Sequence, residues 1–106
     1  MQLNPEFSSG SWIHDSPQLF VDITFDAVMD TSVLPADASW QVEADSVGLS
    51  ETVLTWLDSS TLRILNFLPS PPTTSVTVEL LVEDSNLHAL AGRNVLPFGP
   101  ETIPAA

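Results

Sequence analysis

From Leu19 to Phe25 apolar and polar positions alternate without a break, with Leu19, Val21, Ile23 and Phe25 on one side and Phe20, Asp22 and Thr24 on the other. A period of two is that of a β-strand with one buried face. Trp40, Val42 and Ala44 alternate with Gln41, Glu43 and Asp45 in the same way, and Gly48 marks the end of that second strand. The segments Thr52 to Leu57 and Leu62 to Phe67 flank Asp58-Ser59-Ser60-Thr61, a polar loop of the kind that closes a β-hairpin. Pro69, Pro71 and Pro72 cannot donate to a ladder, so the chain leaves the sheet there and returns as Val76, Val78, Leu80 and Val82. Between these strands, Asp30 is placed to cap one helical turn through Leu34 that Pro35 stops. Ser85 is placed to cap a turn through Leu87 and Leu90 that Gly92 ends, and Arg93 to Phe98 is expected to add a final edge strand.

The two ends lack this order. Residues 1–17 scatter Pro5, Gly10 and Pro17 among serines, with Phe7, Trp12 and Ile13 interspersed, and read as an extended arm. Residues 98–106 read as a second extended tail. The stretch 18–97 between them is a single domain of short alternating strands, each of which must lay its apolar face on a second sheet. The expectation is an all-β protein, a two-sheet β-sandwich of about seven strands carrying extended N- and C-terminal arms. Its core is expected to hold Val21, Ile23, Phe25, Trp40, Val42, Leu62, Ile64, Val78 and Leu80.

Composition narrows the classes of partner. The 106 residues carry fourteen acidic side chains against Arg63 and Arg93, with no lysine, for a formal charge of −12. Phosphate backbones are gripped by several Lys or Arg, so neither nucleic acid nor an anionic membrane is an expected partner. The acids are expected to solvate the outer faces of strands; attraction to a basic partner, mimicry of DNA and adaptation to a salty medium are the sharper alternatives. No apolar run approaches the roughly 18 to 20 residues of a membrane helix. The N-terminus shows neither the basic start nor the apolar stretch of a secretory leader, and the chain reads as a domain that stands alone. Cysteine is absent, which removes disulfides and thiolate metal sites.

Ile23-Thr24-Phe25 leading to Met29-Asp30, then Ser60-Thr61-Leu62-Arg63-Ile64, then Leu90-Ala91-Gly92-Arg93-Asn94 together resemble the bacterial Ig-like domains of surface-layer and adhesion proteins. The resemblance spans about residues 18 to 97. It implies an Ig-like sandwich and a structural or binding module.

Candidate chemistry is sparse. His14 and His88 are too few for most metal sites, and neither sits on a strand-to-helix elbow that would present a serine nucleophile. Asp22, Asp26 and Asp30 recur every four residues, but strand alternation sets the first two along an exposed face instead of around a ring of oxygens. No catalytic, cofactor-binding or metal-binding residue is therefore assigned, and no cofactor is expected.

The surplus of apolar residues is more telling. Phe20, Leu65 and Leu81 fall on the outward registers of their strands, and either Trp56 with Leu54 or Val53 with Leu57 must join them. Large exposed apolar patches mark interfaces. Phe7, Trp12, Phe98 and Ile103 are expected to anchor the arms on a neighbouring subunit. The partners expected are other protein subunits, a major capsid protein or further copies of the chain, in an oligomer or large assembly. These expectations converge on a virion location and a non-enzymatic role, head decoration or cement on the outside of a phage capsid. The alternatives are an excised adhesion or surface-layer module at the cell surface, binding through loops such as Asp45 to Glu51, and an acidic DNA-mimic inhibitor.

Overall fold

A computed structural model describes residues 3–50 and 52–106; Met1, Gln2 and Glu51 lie outside it, Glu51 being the far end of the loop proposed above for an adhesion module. Eight strands run in the order β1 (Phe7–Asp15), β2 (Gln18–Phe25), β3 (Trp40–Ala44), β4 (Val47–Gly48), β5 (Val53–Trp56), β6 (Thr61–Phe67), β7 (Val76–Leu80) and β8 (Phe98–Thr102). They form two four-stranded antiparallel sheets, ordered β1-β2-β6-β5 and β4-β3-β7-β8. The all-β two-sheet expectation holds, with eight strands where about seven were expected.

The extra strand comes from the ends. Residues 7–15, expected as a free arm, are the edge strand of the first sheet, paired with β2 from Asp15↔Gln18 to Phe7↔Phe25. Their serines and Gly10 hide the alternation that a strand normally shows. The expected tail is likewise a strand: β8 pairs with β7, and of the edge strand expected over Arg93 to Phe98 only Phe98 lies in a strand, as the first residue of β8. Beyond β8 the chain turns onto β1, where the Trp12 N–H donates to Pro104 O at 3.0 Å and the Ala106 N–H donates to Trp12 O at 2.9 Å. The C-terminal residues thus bridge the second sheet to the edge of the first. The expected helical turn after Asp30 does not form, because Asp30 Oδ1 accepts from Ser32 N–H and Oγ and holds a local turn instead.

All nine expected core residues are buried. β2 contributes Leu19, Val21, Ile23 and Phe25, and β6 contributes Leu62 and Ile64, facing Trp40, Val42 and Ala44 of β3 and Val76, Val78 and Leu80 of β7. Loops add Met29, Leu87 and Val95, and the tail adds Ile103. Two buried polar side chains among the described residues break the apolar rule, Ser39, whose Oγ donates to Asp84 Oδ2 at 2.8 Å, and Asn66. Asn66 continues the inward register of β6, donates to Ile64 O at 3.2 Å and accepts from Thr52 Oγ1 at 3.1 Å, so its burial is compensated.

Candidate functional site

Because side chains of directly paired residues share a sheet face, register turns single exposed residues into rows. On the outer face of the first sheet Ile13 stands opposite Phe20, Phe20 opposite Leu65, and Leu65 opposite Val53. These four residues form an unbroken apolar row across all four strands, with Ile13 46% and Val53 58% exposed. The neighbouring row, Ser11, Asp22, Arg63 and Thr55, is polar. Arg63 joins the two: its Nε donates to Asp22 Oδ1 at 2.8 Å and its Nη2 to Asp22 Oδ2 at 3.0 Å, while its guanidinium carbon lies 4.7 Å from the centre of the Phe20 ring. The hydrogen bonds that Arg63 donates to Asp22 push the Arg63 pKa up, so the stack is permanently cationic. The outer face of the second sheet differs, since β3 and β7 present Gln41 opposite Glu79 and Glu43 opposite Thr77. The two faces of the sandwich are chemically unlike.

The seven residues expected at an interface separate into groups. Phe20 and Leu65 meet in the row. Leu81 is exposed but lies past the end of β7 on the other sheet, away from them. Phe7 and Phe98 stack at 5.5 Å between ring centres, and Phe98 meets Trp40 edge-on at 5.9 Å. Together with Trp12 they pack half-buried against the core, closing the seam between β1 and β8. Ile103 is 2% exposed, a core residue of this same chain, which corrects its assignment as an anchor on a neighbour. Ile13 is the addition that the sequence pattern does not supply, whereas Val53 stands in it as one of two alternatives. Reading 7–15 as a strand would have supplied Ile13, and of the two alternatives left open for β5, the chain adopts the one with Leu54 inward and Val53 and Leu57 exposed.

The remaining polar candidates are occupied locally. The His14 Nε2–H donates to Leu68 O at 2.7 Å. His88 Nδ1 donates to Ala89 O at 2.8 Å and its Nε2 lies 3.3 Å from Asp30 Oδ2. Asp22, Asp26 and Asp30 diverge, to Arg63, to the Glu6 N–H and to Ser32. Among the described residues no group of three or more His, Asp or Glu is arranged to hold a metal ion. An apolar groove of about 500 Å³ opens between Leu3, Val28 and Leu90, with Arg93 at its lining.

Asp45 shows how a loop acid is consumed. Asp45 and Ser46, at φ 52° and 68°, form the two-residue turn between β3 and β4. The Asp45 carboxylate accepts the N–H groups of Thr73, Thr74 and Ser75 and the hydroxyls of Thr73 and Thr74, which moors the proline-rich loop. These donors, led by the Thr74 and Thr73 amides, hold the carboxyl far below its ordinary value of 3.8. A depressed folded pKa stabilises the protein above the unfolded value, and that contribution is lost as pH falls through the folded one. Asp45→Asn keeps a residue suited to positive φ but turns donors toward donors. It is expected to lower the thermal midpoint at pH 7 and to flatten the parent's decline between about pH 5 and pH 2, as followed by circular dichroism melts.

No model of a known protein family matches the chain, and no curated protein is significantly similar to it.

Proposed function

We propose that this chain is a non-enzymatic structural protein of a virion, a head decoration or cement protein that docks on the outside of a phage capsid through the outer face of its first sheet. The observation that carries the reading is the apolar row of exposed Ile13, half-buried Phe20 and Leu65 and exposed Val53 on a chain of formal charge −12. A strongly acidic protein that leaves such a row uncovered has a surface suited to another protein. The acidic outer face of the second sheet then faces solvent and keeps decorated particles apart. Many copies, each adding modest contact area at seams between coat subunits, resist internal pressure collectively.

Capsids stripped of the protein and incubated with it test the reading. Co-sedimentation and a raised disruption temperature are expected with the parent chain. Leu65→Glu, on the solvent side of β6, is expected to bind at least about tenfold more weakly while melting normally in isolation. Capsids that sediment without the protein and melt at one temperature with or without it overturn the proposal.

A further inference from the structure

A two-sheet sandwich of open sheets has four edge strands, and each offers unpaired backbone groups to another chain unless something blunts it. Three of the four are blunted here. β1 carries a register shift between Phe7 and Ser9 and is clamped at Trp12 by Pro104 and Ala106. β8 contains Pro100 and a register shift opposite Val78 and Leu80. β4 is two residues long. β5 has none of these devices: Thr52 to Leu57 contains no proline, no glycine and no charge.

We infer that β5 pairs antiparallel with β5 of a second copy of this chain, joining two first sheets into one eight-stranded sheet. Register specifies how. The Leu57 N–H donates to Thr61 O at 2.9 Å, which makes Leu57 with Thr61, Thr55 with Arg63 and Val53 with Leu65 the hydrogen-bonded pairs of the β5–β6 ladder. Alternation therefore turns the N–H and C=O groups of Leu54 and Trp56 toward the open edge. Across a twofold axis, Leu54 of each copy bonds Trp56 of the other, and Thr55 meets Thr55 on the axis. That register keeps inward residues facing inward. It also sets Val53, 58% exposed, against Leu57, 47% exposed, at both ends of the new ladder. Shifting the axis to Leu54 would leave Leu57 in water.

Charge selects this edge for self-association. Two chains of −12 repel, and an uncharged strand lets them meet where the cost is least. The pairing also lengthens the apolar row, since Val53 ends it at this edge. It concerns the chain's own edge and is independent of a capsid role.

Sedimentation velocity in about 0.1 M and about 1 M NaCl, where the screening length falls from about 10 Å to about 3 Å, tests it. A dimer whose fraction rises with salt is expected, opposite to the response of binding between unlike charges. Thr55→Lys, which sets two ammonium groups against each other on the axis, is expected to weaken dimerisation at least about tenfold with an unchanged circular dichroism spectrum. Leu57→Lys, at an exposed position beyond the strand, is expected to do the same. Hydrogen exchange on the dimer is expected to show protected Leu54 and Trp56 amides. A monomer at high concentration in 1 M salt overturns the inference, as does a dimer that survives both substitutions with those amides unprotected.

Discussion

Replacing Ile103 by alanine is expected to destabilise the protein by about 2–5 kcal/mol, a large fraction of the roughly 5–15 kcal/mol that holds a domain of this size together. Ile103 follows β8 in a segment rich in proline and alanine, where a free tail would make the substitution neutral. It is instead 2% exposed, its N–H donates to Val76 O at 2.8 Å, and its side chain lies against Gly10 so closely that a Cβ there would sit 2.9 Å from Ile103 Cδ1. Truncation removes the side chain that fills the seam between β1 and the second sheet. Gly10 has no side chain with which to fill the gap, and Val76 is held opposite Ala44 in the β3–β7 ladder. Urea denaturation is the measurement: the midpoint should fall with an unchanged slope, because the surface exposed on unfolding is nearly the same.

Ile103 also marks the line between what the sequence reveals and what it hides. Wherever a strand crosses the middle of the sandwich, one face is buried along its whole length, and the period-two signal of β2, β3, β6 and β7 is written plainly in Leu19 to Phe25, Trp40 to Ala44, Thr61 to Phe67 and Val76 to Leu80. Edge strands need not obey it. In β1 the inward positions are Gly10, Trp12 and His14 and the outward ones include Ile13, so polarity inverts at the centre of the strand. β8 is short and interrupted by Gly99 and Pro100, residues that ordinarily argue against a strand. Both ends were therefore legible as apolar-spotted extended chain, while the pairing of β1 with β2 and of β8 with β7 was not, and neither was the bridge from Trp12 to Pro104 and Ala106.

The candidate surface was legible in the same uneven way. Phe20 and Leu65 stand out because they occupy polar registers of well-patterned strands, and direct pairing puts them side by side. Their extension to Ile13 and Val53 required the strand character of 7–15 and the phase of β5, where Leu54 and Trp56 compete with Val53 and Leu57 for the interior. The competition is decided by Trp56, whose indole N–H donates to Val33 O at 2.8 Å and whose ring tilts against Phe25 at 6.5 Å. An amphipathic ring with an acceptor waiting in a loop gains more from the interior than a leucine does. Nothing in the local pattern announces that acceptor.

Gly99→Ala is expected to cost about 3 kcal/mol or more, and Gly92→Ala about 1 kcal/mol, although both glycines have positive φ, at 95° and 112°. The backbone conformation penalises a side chain at both positions. The difference lies in what a Cβ would meet. At Gly92 nothing stands within 4 Å, so the cost is conformational alone. At Gly99 the added carbon would lie 2.7 Å from Val78 O, 3.0 Å from Glu101 N and 3.1 Å from Glu79 Cα, all of them backbone atoms of the β7–β8 pair. None can yield as a flexible side chain would. Relief has to come from separating the two strands, which pulls Phe98 away from Trp40 and Phe7 and lets water reach the core. Paired denaturation curves of the two variants isolate that contact, since their conformational terms are similar. Equal destabilisation would mean that β8 does not lie against β7, whereas a gap of about 2 kcal/mol or more, together with earlier exchange of the Ile103 amide in Gly99→Ala, follows if it does.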